Sequence, residues 1–172
     1  FFALAADEGH AIARYTLGNS YREGKGGLAI DFNRCVELYE QSAKQGHVDA
    51  QAALARIYFF GSEDGPPMTI PVDPQLGFRW YLAAAKQEDV DAMMNIGDAY
   101  EDGTGVEQND ESAFEWYTKA AEKGDPGAQF TVGQCSENGT GCEIDLVQAM
   151  FWYQKSAAQG YQDAIDAVER LS

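Results

Sequence analysis

Apolar residues recur along this chain at helical spacing, in two blocks that alternate over its whole length. In the first block, Ala13, Leu17 and Tyr21 are each four residues apart, which places their side chains on one face of a helix. The second block carries an aromatic pair, two small residues and a glycine, as in WYTKAAEKG at 116–124. Copies of it begin at residues 1, 38, 80, 116 and 152. The sequence therefore predicts repeated pairs of helices, helix A followed by helix B.

Glycine and polar residues mark where the predicted helices begin and end. A glycine closes most copies of both blocks, where a left-handed C-cap is favoured. Pro126 stands in the first turn of a helix A, where its missing N–H costs nothing. The residue before each helix B has a side-chain oxygen that can accept a backbone N–H. These N-cap residues are Asp31, Asp73, Asn109 and Asp145.

The blocks divide the chain into four complete repeats and two partial ones. Their predicted bounds are 1–9 (helix B only), 10–46 (repeat one), 47–88 (repeat two), 89–124 (repeat three), 125–160 (repeat four) and 161–172 (helix A only). One repeat cannot bury its own apolar face, whereas stacked neighbours do, so we expect a single repeat domain over 1–172. The predicted helix B that contains Phe1 and Phe2 lacks its helix A, which would leave its apolar face uncovered. We therefore also expect this sequence to be part of a longer solenoid.

Small and aromatic residues alternate where the two helices of a repeat are expected to meet. Glycine in mid-helix costs roughly 0.5–1 kcal/mol relative to alanine, so its recurrence indicates a gain from close packing. The small positions are Gly18, Ala55, Gly97 and Gly133 in helix A, and Cys35, Gly77, Ala113 and Ala149 in helix B. We expect the tryptophans at the aromatic pair, Trp80, Trp116 and Trp152, to lie in the core.

This repeated pattern resembles that of the Sel-one-like repeat family, a branch of the tetratricopeptide superfamily. The family pattern reads A-x-x-x-L-G-x-x-Y-x-x-G-x-G-V, then Asp, then small-x-x-W-Y-x-x-A-A-x-x-G, and residues 92–124 match nearly every position. The resemblance implies an all-α, right-handed α-α superhelix that serves as an adaptor in protein complexes, with helix A on the concave side. The sequence departs from the pattern at Ser136, where the family has tyrosine, and at Glu88, where it has glycine.

The loop between helices A and B of repeat two, residues 62–73, is longer than its counterparts. It holds Pro66, Pro67 and Pro71, and Pro74 follows directly. Met68, Ile70 and Val72 alternate with other residues, as in an extended arm. The loop either docks on a partner or folds back on its own repeat.

Charge excludes several classes of partner. The chain has 12 Lys and Arg residues against 28 Asp and Glu, a net charge of -16, so it lacks the basic face that nucleic acid requires. No run of 18 apolar residues exists, and we expect no direct membrane insertion. No targeting segment is visible, and neither the compartment nor the oligomeric state can be read from the residues.

No constellation of catalytic or metal-binding residues is found. His10 and His47 each follow the glycine that closes a repeat, which indicates a turn or capping role. The GTG strings at 103–105 and 139–141 recur in register with the repeat and lack a following Lys, so they are A–B connections rather than phosphate loops. Cys135 and Cys142 are seven residues apart, and an inert, buried role is favoured for them over a local disulfide. We therefore predict no catalytic residue, cofactor or metal.

Positions of helix A that the repeat does not need for its own structure form the candidate binding surface. We call this set the helix A surface: Tyr15, Asn19, Arg22, Glu23, Arg56, Phe59, Phe60, Met94, Asn95, Asp98, Glu101, Asp102, Phe130, Gln134, Glu137 and Asn138. Apolar anchors beside polar groups suit a peptide or helix of another protein. Residues 89–124 carry 10 acids and 2 bases, which favours a basic or amphipathic segment. For the function, the alternative is a regulatory module of a larger chain. For Phe59 and Phe60, the alternative is that they only contact the next helix A.

Overall fold

The computed structural model describes residues 10–61 and 70–172, and over these ranges it contains nine α-helices and no strand. By its internal contacts the chain divides into two compact units, Phe1–Asp89 (unit one) and Val90–Ser172 (unit two). The all-α helical-repeat solenoid predicted from the sequence is confirmed. That the two units make up a single repeat domain stays a prediction.

Unit one contains two helix pairs. In repeat one, α1 (Ala11–Glu23) is helix A and α2 (Phe32–Ala43) is helix B. In repeat two, α3 (Val48–Phe60) is helix A and α4 (Pro74–Ala85) is helix B. Each helix A packs against its own helix B, and α3 also packs against α2. The buried centre of this unit contains Cys35, Val36, Tyr39, Ala43, Ala50, Leu54 and Tyr58.

Unit two contains two further pairs and a last helix. Repeat three consists of α5 (Val90–Asp102) and α6 (Asp110–Glu122), and repeat four of α7 (Pro126–Asn138) and α8 (Leu146–Ala157). The chain continues into α9 (Gln162–Leu171), a helix A. Within this unit, each helix from α6 through α9 packs against the one before it. Every helix A from α7 onward therefore lies against the helix B of the preceding repeat.

The predicted N-caps of helix B are confirmed. Asp31, Asp73, Asn109 and Asp145 each accept a hydrogen bond from the backbone N–H three residues later, at 2.8–3.0 Å. The same four residues also donate their backbone N–H to a carbonyl near the end of helix A, at 2.8–2.9 Å. One residue thus starts helix B and fixes the direction in which the chain leaves helix A.

Glycine in helix A accommodates the tyrosine ring of helix B. A Cβ built on Gly133 would lie 2.6 Å from the Tyr153 ring, and one built on Gly18 would lie 2.7 Å from the Tyr39 ring. A Cβ built on Gly97 would lie still closer to the Tyr117 ring. These three tyrosines are at most 1% exposed. The close approach inferred from the small residues is thus a contact between a helix backbone and an aromatic ring.

The prediction that the tryptophans lie in the core is correct for Trp152, and Trp80 packs against the core of unit one without being fully buried. Trp152 is buried, whereas Trp80 and Trp116 are half-buried. Lys119 covers the ring of Trp116, with its Nζ 3.9 Å from the ring centroid. Because successive residues of a helix point about 100° apart, the tyrosine that follows each tryptophan faces helix A and the tryptophan turns toward the edge of the pair.

Repeat two reverses the positions of the small and the large residue. Its helix A carries Ala55, and the glycine is Gly77 in helix B, where an added Cβ would lie 2.9 Å from the carbonyl oxygen of Ala55 and would overlap the Phe59 ring. Phe59 is therefore 9% exposed and packs edge-on against Tyr81, with ring centroids 5.4 Å apart. The prediction that Phe59 belongs to a free binding surface is wrong for this reason.

Two predictions fall partly or wholly outside the described residues. The partial repeat at 1–9, with Phe1 and Phe2, lies outside them, as does the part of the long loop from 62 to 69. Of the described loop residues, Ile70 packs against the core of unit one, and Val72 is 52% exposed.

Candidate functional site

The helix A surface occupies equivalent positions in successive repeats. Counted from the recurring alanine of each helix A (Ala13, Ala50, Ala92 and Ala128), one position holds Asn19, Arg56, Asp98 and Gln134, and the position three residues later holds Arg22, Phe59, Glu101 and Glu137. In repeats one, three and four, both positions lie near the glycine that receives the tyrosine ring. The chemistry of this surface is therefore decided by what these two side chains offer to the tyrosine hydroxyl.

The tyrosine of helix B donates its hydroxyl to a side chain on the helix A surface. Tyr39 donates to Oδ1 of Asn19 in repeat one. Tyr153 donates to Oε2 of Glu137 at 2.7 Å in repeat four. The buried ring of each tyrosine thus ends in a polar group at the edge of the helix A surface.

Repeat three places two carboxylates on one tyrosine hydroxyl. The oxygen of Tyr117 lies 2.8 Å from Oδ1 of Asp98 and 2.7 Å from Oε2 of Glu101. Loss of hydration raises the pKa of Asp98, the charges of Glu101 and Asp102 raise it further, and the hydrogen bond from Tyr117 opposes them. Over the described residues, no lysine or arginine forms an ion pair with these three carboxylates. Repeat three therefore presents an uncompensated negative charge.

The other predicted residues of repeat three differ in their availability. Met94 is half-buried, and the amide of Asn95 donates to the carbonyl oxygen of Asp91 at 2.7 Å within its own helix. Asp98, Glu101 and Asp102 are all exposed. The carboxylates, rather than the amide, are thus the groups in this repeat that a partner can reach.

Repeat four and α9 enclose a groove of about 420 Å³. Its lining residues come from α7, α8 and α9: Phe130, Gln134, Glu137, Asn138, Tyr153, Asp163, Asp166, Ala167 and Arg170. The apolar wall is Phe130, whose ring packs against Tyr153 and Tyr161 with centroids 5.6 and 5.3 Å apart. The helix A residues predicted for repeat four, Phe130, Gln134, Glu137 and Asn138, are thus brought together in one concavity.

The sequence analysis missed Arg170, which lies in this groove. Its guanidinium donates to both oxygens of Glu137, at 2.6 and 2.8 Å. Hydrogen bonds from Arg170 and then from Tyr153 lower the pKa of Glu137 to about 2. The available signal was the repeat register, since Arg170 occupies in α9 the position of Gln134 in α7.

In unit one the predicted residues are largely engaged with each other. Tyr15 is half-buried, and its ring stacks on His47 with centroids 4.8 Å apart. Arg22 donates to Glu23 at 3.0 Å. Arg56 is exposed and Phe60 is 56% exposed, so these two remain accessible.

Groups that could support catalysis are used otherwise. His47 caps α3 by accepting from the backbone N–H of Ala50 at 3.3 Å. All three cysteines are free thiols, and burial raises the pKa of Cys35 and of Cys135 to about 11. Cys142 is half-buried and donates to the carbonyl oxygen of Cys135 at 3.5 Å. At neutral pH these thiols are therefore protonated and weakly nucleophilic.

The described residues contain neither a candidate metal site nor a helix that could span a membrane. No group of three or more His, Cys, Asp or Glu residues in them is arranged to hold a metal ion. In the same residues, no helix has the length and apolar character needed to cross a membrane.

Comparison with known proteins gives a family match and several relatives. The Sel1 repeat model matches residues 11–47, 48–89, 90–125 and 126–161. The chain is 36% identical over 95 residues to the chitin synthase regulator SKT5 of Saccharomyces cerevisiae, covering 55% of this chain and 13% of that protein. It is 28% identical over 112 residues to an uncharacterized protein of Neisseria meningitidis, covering 65% of this chain and 21% of that protein. The chain thus spans only a small part of the relatives it matches.

Two solved bacterial proteins have the same fold. A protective antigen of uropathogenic Escherichia coli with an SLR fold matches with a TM-score of 0.88 and 29% identity, over 99% of this chain and 35% of that one. A Sel1 repeat protein of Oxalobacter formigenes matches with a TM-score of 0.82 and 30% identity, over 91% of this chain and 62% of that one.

These matches agree with the repeated helix pairs. Sel1 repeats are generally protein-interaction modules. The scaffold and the regulator among the relatives suggest a non-enzymatic repeat protein. Because four consecutive repeats match the model over residues 11–161, this chain belongs to the Sel1 repeat family.

Proposed function

We propose that this chain is a non-catalytic adaptor that binds a peptide or helical segment of partner proteins along the helix A surface. The observation that carries the proposal lies in unit two. There the carboxylates of Asp98, Glu101 and Asp102 are exposed and unpaired with any described cation, and the groove of repeat four offers an apolar wall at Phe130. Apolar anchors and uncompensated charges together favour a basic or amphipathic segment.

Two features of the groove support a protein segment rather than a small substrate. The groove is open to solvent, and its walls combine the Phe130 ring with amides at Gln134 and Asn138. It also contains more acid than base, since Asp163 and Asp166 accompany the Glu137–Arg170 pair. Charged groups at the rim of such a surface mainly control the association rate, whereas the apolar wall controls dissociation.

Selection from a phage-displayed library of random 12-residue peptides tests the proposal. Peptides are selected on the whole chain and then measured against the triple variant Asp98→Asn, Glu101→Gln, Asp102→Asn. We expect selected peptides to be basic or amphipathic, to associate more slowly with the triple variant, and to lose much of their salt dependence with it. A matched control is Glu111→Gln, Glu115→Gln, Glu122→Gln, which removes the same charge from exposed positions of α6 in the same repeat.

The control separates a local site from net charge. If the two triple variants slow association equally, the acidity acts as a general solvated surface, and the proposed site in repeat three is wrong. Peptides that bind both variants and the wild type alike, with no salt dependence, would contradict the proposal for basic segments altogether.

A second candidate function is a regulatory module within a larger enzyme or signalling protein. It is favoured by the relative that is named as a chitin synthase regulator and of which the matched segment is only 13%. In that case the segment bound by the helix A surface belongs to the regulated protein or to the same chain. Isolation of the full-length product and cross-linking from an introduced Gln134→Cys would distinguish the two, because an intramolecular cross-link supports the module and an intermolecular one supports the adaptor.

A further inference from the structure

Successive A helices of unit two carry equivalent side chains at the tyrosine hydroxyl, which allows one repeat to be compared with the next. Glu137 and Tyr153 of repeat four correspond to Glu101 and Tyr117 of repeat three, each 36 residues earlier. The helix A that packs behind each pair is α9 for repeat four and α7 for repeat three.

In repeat four this arrangement already binds a guanidinium. Nη1 and Nη2 of Arg170 donate to the two oxygens of Glu137 at 2.6 and 2.8 Å, and the Tyr153 hydroxyl donates to one of them at 2.7 Å. Tyr153 is 1% exposed, so its position is fixed by the core. The repeat therefore holds a carboxylate in the orientation that receives a planar guanidinium fork.

In repeat three the carboxylate is positioned in the same way, but the chain supplies no arginine. The hydroxyl oxygen of Tyr117, which is also 1% exposed, lies 2.7 Å from Oε2 of Glu101 and 2.8 Å from Oδ1 of Asp98, so the two carboxylates share one proton donor. The residue of α7 that corresponds to Arg170 is Gln134, which is exposed. None of the lysines and arginines within the described ranges pairs with Glu101 or Asp98.

We propose that Glu101 and Asp98, oriented by Tyr117, form a receptor site for an arginine side chain of the partner segment. This inference rests on the proposed function and specifies the partner's chemistry at one position. Arginine is favoured over lysine because the occupied copy of the site binds through two parallel N–H···O bonds, which an ammonium cannot form. In repeat three, Gln134 stands at the position that Arg170 occupies one repeat later.

The test occupies the proposed receptor site with an arginine of the chain itself. In Gln134→Arg, the new arginine takes the position of Arg170 and should pair with Glu101, which closes the site to ligands. Gln154→Arg adds the same charge at an exposed position of α8 and serves as the matched control. The probe is N-acetyl-arginine amide, and ¹H–¹⁵N NMR spectra report its binding through the backbone amides of Asp98, Glu101 and Tyr117.

We expect the probe to shift these three amide signals in the wild type and in Gln154→Arg, and to bind Gln134→Arg at least about tenfold more weakly. N-acetyl-citrulline amide, which has the same shape without the charge, should not shift them. We also expect Gln134→Arg to raise Tm relative to Gln154→Arg, since it adds an internal ion pair. Equal binding of the arginine probe to both variants, or shifts that citrulline reproduces, would overturn the inference.

A second measurement separates this inference from the proposed function. Peptides from the phage selection that contain arginine are resynthesised with citrulline at each arginine in turn. Loss of binding for one citrulline position, together with loss of binding to Gln134→Arg, supports the receptor site. If the peptides still depend on the three carboxylates but tolerate every citrulline and Gln134→Arg, the receptor site is refuted and the adaptor function stands.

Discussion

Repeats three and four have the same scaffold, but the glutamate at the same point is paired with a cation in repeat four and, among the described residues, unpaired in repeat three. In both, a glycine of helix A receives the ring of a buried tyrosine whose hydroxyl reaches a glutamate four residues further along helix A. In repeat four that glutamate is neutralised by Arg170, whereas in repeat three Glu101 shares the hydroxyl with Asp98 and no described cation pairs with it. Two positions account for the difference: the following helix A carries Gln134 in one case and Arg170 in the other, and the residue beside the tyrosine hydroxyl is Asp98 in repeat three and Gln134 in repeat four. The scaffold therefore constrains the tyrosine and leaves the charge of the surface free to vary.

Helix B shows the same freedom on its outer face. Asp110, Glu111 and Glu115 of repeat three are exposed and acidic. Their counterparts 36 residues later, Leu146, Val147 and Phe151, are apolar and 50–82% exposed. Since these positions are exposed in both repeats, packing between repeats does not select their side chains.

The largest effect is expected where the two repeats are alike. Gly97→Ala places a Cβ into the Tyr117 ring, and Gly133→Ala places one 2.6 Å from the Tyr153 ring. Overpacking of this kind costs about 1–3 kcal/mol, which exceeds the helix-propensity gain of up to about 1 kcal/mol. We expect urea denaturation to show a lower free energy of unfolding for both variants, with the greater loss for Gly97→Ala.

Gly127→Ala is the matched control for these substitutions. It lies in α7 and its Cβ would meet only Asp125, with Oδ1 3.2 Å away. We expect it to change the free energy of unfolding by less than about 0.5 kcal/mol. If Gly97→Ala were as stable as this control, the ring contact would not be the reason for the glycine.

The next effect concerns the apolar residue that precedes the carboxylates on each helix A. Phe130 contacts two aromatic rings, so Phe130→Ala should destabilise unit two by about 2 kcal/mol, below the 3–5 kcal/mol usual for a fully buried phenylalanine. Met94→Ala, at the equivalent half-buried position of repeat three, should cost less. Phe130→Ala should also speed the dissociation of peptides selected on the wild type. Surface plasmon resonance gives both rates, and an unchanged dissociation rate would place Phe130 outside the binding surface.

The smallest expected effect is the contribution of one carboxylate to the free energy of unfolding, and its sign differs between the two repeats. The pKa of Asp98 is raised, so its contribution to stability improves as pH falls through that pKa. The pKa of Glu137 is lowered from 4.5 to about 2, so its contribution is complete above pH 4.5 and is lost as pH falls toward 2. At pH 7, Asp98→Asn should therefore raise and Glu137→Gln lower the free energy of unfolding, each by less than about 1 kcal/mol.

Thermal denaturation at several pH values measures both changes. Near pH 2 the Glu137→Gln variant should approach the wild type, because the carboxyl group it replaces is then largely protonated. If Asp98→Asn and Glu137→Gln changed the free energy of unfolding in the same direction at pH 7, the ion pair with Arg170 would not be what distinguishes the two repeats.

The residues alone predicted the helix pairs and their ends, and they predicted little of how the surface is used. Asp31 and its three counterparts cap helix B as expected, because a cap depends on residues three positions apart in the chain. The predicted residues Phe130, Gln134, Glu137 and Asn138 do line one groove. Phe59, at the position of Glu101, was expected on the surface and lies in the core, since Gly77 of the other helix opens a space for its ring.

Periodicity, glycines and caps thus determined the repeat, because each of these acts through local geometry or through a pattern that recurs every 36–42 residues. Tertiary structure decided which polar side chains meet. Arg170 and Glu137 are 33 residues apart, and their pairing follows from the packing of α9 against α8, as the open carboxylates of repeat three follow from Gln134 in α7. The energy of a charged surface depends on distances between side chains of different helices. A sequence pattern orders those side chains along the chain, and only the packed helices bring them to within 3 Å of one another.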